Sequence, residues 1–274
     1  MIAQALHKRV QTYLDLAEIS RIDYSVETIH AFRVSARNLL AVEPLIRRVS
    51  ETSQWKIMIR SWLKSLNQLR DMQVLQLNLD GHAQINTLLL KQMKLYLEEW
   101  QAISKTIANV NFQDNLNASL ESYCSGILAD PALFHRTAAS QWSKYFQKIN
   151  MAIQQASYEN PSALHKLRIR YKSMRYLATF FHDAGVIDVL DILKLKYWQD
   201  LLGAIQDLEV GIKWLQESGN SISLIEQLKE ESADLRLKFS DQKEQLDQFI
   251  AKTNSVVRSG IEKLEQATQL PPKN

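Results

Sequence analysis

Two short segments of the chain carry the same pattern of basic side chains. Residues 30–40 read HAFRVSARNLL and residues 165–175 read HKLRIRYKSMR. On a helix of 3.6 residues per turn, a histidine and the residues three, seven and ten positions later lie within an arc of about 80°. The basic residues at these positions are His30, Arg33 and Arg37 in the first segment and His165, Arg168, Lys172 and Arg175 in the second. Arg offers oxyanions a planar fork of donors and Lys a compact charge, so the spacing predicts an anion-binding stripe.

The charge around these stripes is of one sign. Residues 161–182 hold five Lys or Arg and no Asp or Glu, and residues 28–70 hold eight Lys or Arg against two acids. A solvated helix face usually mixes signs in i,i+4 pairs, so either carboxylates from other helices or an anionic ligand must offset this repulsion. The overall charge of +3 therefore hides a basic seam in a more acidic body. We expect further basic residues to extend the first stripe as a rim: Arg47, Arg48, Arg60, Lys64 and Arg70.

The elements that position these residues are predicted to be helices. Apolar residues recur at helical spacing almost throughout, and 7 Gly and 5 Pro in 274 residues are too few for sandwiches, Rossmann folds or TIM barrels. No strand pattern competes with the helical one. The predicted helices cover residues 2–19, 26–49, 52–79, 83–109, 113–128, 136–157, 161–183, 187–217 and 222–267, the last as one helix or two.

A second pair of matching segments lies downstream of the basic ones. Residues 62–74 read WLKSLNQLRDMQV and residues 198–210 read WQDLLGAIQDLEV. The first pair of segments is separated by 135 residues and the second by 136, which indicates duplication of a four-helix unit. We place the two halves at residues 1–130 and 131–274. Trp62 and Trp198 are expected in the cores.

The repeated H-x-x-R-[VI]-x-x-[RK] helix, followed each time by a D-x-x-V segment, resembles the CHAD (conserved histidine α-helical) domain family. This resemblance implies an all-α fold of two antiparallel four-helix bundles related by a pseudo-twofold axis, with a basic cleft between the motif helices. It also implies binding of inorganic polyphosphate by the seven stripe residues named above. Members of the family commonly carry Arg where Asn38 and Leu40 stand here, and Leu40 is the counterpart of Arg175.

We therefore expect a non-enzymatic polyphosphate-binding module with no cofactor and no metal site. Two alternatives use the same residues: a helical scaffold that binds another protein, its stripes neutralised internally, and an RNA-binding protein, with nucleic acid the less favoured partner. Each stripe residue also has a structural alternative, a buried histidine or a salt bridge inside the bundle. Asp71 and Asp207 are expected to anchor a motif Arg or cap a helix, because the acids are too scattered for a catalytic cluster.

The remaining expectations concern location. A single cysteine, Cys124, fits a reducing compartment, and the N-terminal residues lack the apolar segment of a signal peptide. No uninterrupted apolar stretch approaches the length of a membrane span, so no membrane partner is expected. We predict a cytoplasmic protein, and the resemblance adds association with polyphosphate granules.

Overall fold

The computed structural model describes residues 1–46, 54–79, 83–105, 107, 110–219 and 221–269. Within these residues the chain is entirely helical, which confirms the predicted all-α class. The helices in chain order are α1 (Ile2–Ile19), α2 (Val26–Ile46), α3 (Gln54–Asn78), α4 (Ala83–Ser104), α5 (Val110–Ala129), α6 (Pro131–Gln155), α7 (Pro161–Asp183), α8 (Ile192–Glu217) and α9 (Ile222–Gln269). The predicted helical residues 47–49, 52–53, 106 and 108–109 lie outside the described residues.

Three helix starts differ from the sequence prediction. Helix α5 begins at Val110 rather than at residue 113, and α4 ends at Ser104 rather than at residue 109. The other two starts differ for a local reason. Helix α6 begins at Pro131 rather than at residue 136, because proline has its φ set for a helix and needs no hydrogen bond for the first helical nitrogen. Helix α8 begins at Ile192 rather than at residue 187. Asp191 caps it by accepting a hydrogen bond of 2.8 Å from the backbone nitrogen of Lys194. Helix α9 is a single helix of 48 residues.

The chain forms two compact units. The first contains Met1–Gln141, Tyr176–Asp188 and Val257–Asn274, and the second contains Trp142–Arg175 and Val189–Val256. Helices α2 and α3 belong to the first unit. The first part of α7 and all of α8 belong to the second. The repeat halves 1–130 and 131–274, the two four-helix bundles and their pseudo-twofold axis stay predictions.

An aromatic cluster in the first unit holds the helix that carries the first stripe. Phe32 of α2 lies 5.5 Å from Tyr13 and 5.8 Å from Trp100, measured between ring centroids. Trp62 of α3 packs edge-on against Phe112 at 4.8 Å. Because Phe32 is fully buried, the face of α2 that carries it must point into the core. Arg33 is the next residue along the helix and therefore lies at the edge of the core.

The second unit orients α7 in the same manner. Leu167, Tyr171 and Met174 are fully buried, and the Tyr171 hydroxyl donates a 3.0 Å hydrogen bond to the carbonyl of Leu195 on α8. Trp198 is also fully buried, as expected of a core aromatic. The basic residues of α7 therefore border the seam between α7 and α8. In the described part of the chain, no helix is long and apolar enough to cross a membrane.

Candidate functional site

The second stripe is a built arrangement on α7, held by side chains of α8. His165 donates from Nδ1 to the amide oxygen of Gln206, and Arg175 donates from Nη1 to the amide oxygen of Gln199. Arg168 Nη2 lies 3.8 Å from Oδ1 of Asp207. Lys172 lies on the same face, and all four basic side chains are half-buried. The structure thus brings together the four predicted residues of this segment.

The partners on α8 orient the basic groups differently. A neutral amide oxygen positions a guanidinium or an imidazole without cancelling its charge, whereas a carboxylate cancels it in part. Gln199 and Gln206 are of the first kind and Asp207 is of the second. Since the Nδ1 of His165 carries the donated proton, its Nε2 accepts hydrogen bonds in the neutral ring and becomes a donor when the ring is protonated.

The first stripe is placed differently, because its central arginine lies beneath the surface. Arg33 is only 6 % exposed, and its Nη1 donates to Oδ1 of Asn67 at 3.0 Å and to the carbonyl of Leu63 at 3.5 Å. Burial, followed by the charge of Arg37, lowers the pKa of Arg33 to about 9. The guanidinium therefore remains a cation at neutral pH, held against α3.

The other members of the first stripe lie above Arg33. His30 is exposed and Arg37 is half-buried. Asp71 and Arg70 of α3 act on the Arg33 charge in opposite directions, Asp71 raising its pKa and Arg70 lowering it. The seam between α2 and α3, like the seam between α7 and α8, is therefore lined by several cations and one carboxylate.

The two aspartates fit the expected anchoring role. Asp207 faces Arg168 across the α7–α8 seam, and Asp71 acts electrostatically on Arg33. In the described residues, no three His, Cys, Asp or Glu side chains gather in a way that would hold a metal ion.

Sequence reasoning did not single out the amide residues of this site: Asn67, Gln199 and Gln206. A signal was present, since all three stand within the second pair of matching segments, residues 62–74 and 198–210. Of the predicted rim, Arg60 and Lys64 are exposed and Arg70 is half-buried. Arg47 and Arg48 lie outside the described residues.

The described part of the chain is an all-α protein. Its helices α2 and α7 each carry basic residues on a face that packs against the following helix. A family model, described as the CHAD domain, matches residues 4–216. The chain therefore belongs to the CHAD domain family.

A solved structure gives the same fold. The chain is similar to the crystal structure of the CHAD domain from the plant Ricinus communis, with a TM-score of 0.61 and 19 % sequence identity. The similarity covers 96 % of this chain and 92 % of the plant chain. A comparison with curated proteins finds no match.

Proposed function

We propose that this protein binds inorganic polyphosphate without transforming it, using the basic faces of α2 and α7. The observation that carries the proposal is the α7 stripe, where His165 and Arg175 are oriented by neutral glutamine amides. Such partners hold a cationic group in place without themselves cancelling its charge. Membership of the CHAD family, which is associated with this ligand, supports the same conclusion.

The chemistry of polyphosphate suits these residues. It is a flexible chain with about one negative charge per phosphate and no base to be read, so Arg and Lys suffice and aromatic stacking platforms are unnecessary. Affinity arises from several charge-assisted hydrogen bonds and from release of counterions, so it falls steeply as salt rises, as it does for nucleic acids.

We assign the contacts as follows. In the second unit His165, Arg168, Lys172 and Arg175 contact the phosphates, and His165 adds a donor from Nε2 when protonated. In the first unit His30 and Arg37 make the contacts, while the buried Arg33 acts as a fixed positive charge beneath them. We assign no catalytic residue, metal or cofactor. With this function we propose a cytoplasmic location and association with polyphosphate granules.

The test is binding of long-chain polyphosphate by wild type and by the double variant K172Q/R175Q at low salt. We expect saturable binding by wild type and a loss of about tenfold or more in affinity in the variant, because two charge-assisted contacts are removed. The matched control K144Q/K148Q removes two charges from exposed residues of α6 in the same unit and should change affinity less than about twofold.

Two outcomes would contradict the proposal. One is an absence of binding by wild type at low salt. The other is an equal loss of affinity in the variant and in the control, since that would mean that net charge alone, rather than the α7 stripe, attracts the ligand. RNA of matched charge serves as a competitor, and efficient displacement of polyphosphate by RNA would favour nucleic acid as the partner.

A further inference from the structure

The exposed edge of α3 beside Arg33 carries two additional cations. The bond from Arg33 to Asn67 shows which side of α3 adjoins α2. Arg60 and Lys64 precede Asn67 by seven and three residues, so the three side chains lie within about 60° of one another around the helix. Arg60 and Lys64 are both exposed, and among the described residues neither is paired with a carboxylate.

The equivalent edge of α8 is neutral. The offset of 136 residues places Lys196 opposite Arg60 in the alignment of the halves and Asp200 opposite Lys64. Nζ of Lys196 lies 3.6 Å from Oδ2 of Asp200, so these two side chains form an ion pair one turn apart. Where the second half has a cancelled pair of charges, the first half has two cations.

The position of Lys64 matches the charge that α2 lacks. Arg175 of α7 is bonded to Gln199, and the counterparts of these residues in the first half are Leu40 and Leu63. Lys64 follows Leu63 directly and is exposed, so in the alignment of the halves it adjoins the counterpart of the residue that binds Arg175.

We infer that Arg60 and Lys64 of α3 bind polyphosphate and supply, in the first half, the cations that Arg175 supplies in the second. The inference rests on the proposed function and specifies its ligand contacts. The phosphate chain then lies along the seam of α2 and α3, touching His30 and Arg37 on one side and Arg60 and Lys64 on the other. In the second half the contacts come from α7 alone.

The test compares polyphosphate binding by wild type, by R60Q/K64Q and by the matched control K91Q/K94Q across a series of salt concentrations. The control removes the same charge from exposed residues of α4 in the same unit. We expect R60Q/K64Q to bind polyphosphate about tenfold more weakly than wild type at low salt. Its affinity should also depend less steeply on salt, because about two fewer counterions are released on binding. The affinity of the control should stay within about twofold of wild type. All variants should unfold at the wild-type temperature, because the substituted residues are exposed.

A relocated charge gives the second readout. Adding L40R to R60Q/K64Q places an arginine at the counterpart of Arg175 and should restore several-fold of the lost affinity. Equal binding by R60Q/K64Q and the control, with wild type binding normally, overturns this inference and leaves the proposed function standing. No binding by wild type overturns the proposed function, and the inference with it.

Discussion

Replacing Arg33 measures how much its buried charge lowers the free energy of unfolding. We predict that Arg33→Met stabilises the protein in the absence of ligand. The native residue is a cation that is 6 % exposed. Its hydrogen bonds go to a carbonyl and an amide oxygen, and the carboxylate of Asp71 offsets its charge only in part. Methionine fills a similar volume without a charge, and replacing a buried charge by a well-packed apolar residue is often neutral or stabilising.

The pKa of Arg33 bounds the size of the effect. Burial lowers the pKa of Arg33 to about 9, which corresponds to at most roughly 5 kcal/mol of penalty on the charged form, at about 1.4 kcal/mol per tenfold change in the equilibrium. Because the folded pKa lies below the unfolded one, the penalty is fully present at neutral pH and is relieved only as pH rises above about 9. The variant gives up two hydrogen bonds of about 1 to 3 kcal/mol together. We therefore expect a net gain of at most about 2 to 4 kcal/mol.

The assay is urea unfolding at pH 7, with and without polyphosphate. Without ligand the midpoint of Arg33→Met should rise, and Asn67, which is exposed, finds water in place of its lost donor. With polyphosphate, wild type should gain more stability than the variant, because ligand that binds only the folded state stabilises it in proportion to affinity. Arg37→Met, at a half-buried position, should show no comparable gain. A loss of more than about 1 kcal/mol in unliganded Arg33→Met would refute the reasoning.

Two further predictions concern the first unit and the helical glycines. Gly260→Ala should destabilise the protein by about 3 kcal/mol or more, since the added methyl would lie 2.2 Å from a backbone carbonyl oxygen. Gly203→Ala should stabilise the protein by up to about 1 kcal/mol, because a methyl there would have no neighbour within 4 Å and alanine favours the helix. Thermal unfolding of the two variants checks both predictions. Burial lowers the pKa of His135, with Glu265 opposing and Arg136 assisting, so the unfolded state takes up its proton first as pH falls below about 6.5 and stability drops. His135→Gln should lose less stability between pH 7.5 and 5.5 than wild type does, and an equal loss in urea titrations would contradict the prediction.

The sequence was a good guide to elements and a partial guide to the site. Helical periodicity and the scarcity of Gly and Pro were sufficient for the all-α class, because both act locally along the chain. Helix starts at Pro131 and Ile192 were missed by about five residues, since the apolar pattern says little about which nearby residue caps a helix. The basic residues that the repeat singled out on α7 lie together on the seam with α8, and their role as a binding face stays a prediction.

The spacing of the residues could not predict the individual role of each arginine. Arg33 and Arg168 occupy the same position in the repeat, yet one is buried against Asn67 and the other is 21 % exposed beside Asp207. The partners stand on the neighbouring helix, Asn67 for Arg33 and Asp207 for Arg168, more than thirty positions away in the chain. Their relation to the motif exists only after the helices pack.

What the sequence by itself determined is therefore the helical class and the register of the basic stripes, because helical geometry converts spacing into faces. Tertiary structure alone decided which basic groups are buried, which are oriented by amides and which helix edge carries uncancelled charge. Burial and ion pairing depend on the distance between side chains of different helices, and no local pattern encodes that distance. The repeat places Leu40 where the second segment has Arg175. Only the packing of α3 against α2, through Arg33 and Asn67, shows that Arg60 and Lys64 lie on an exposed edge of the same seam.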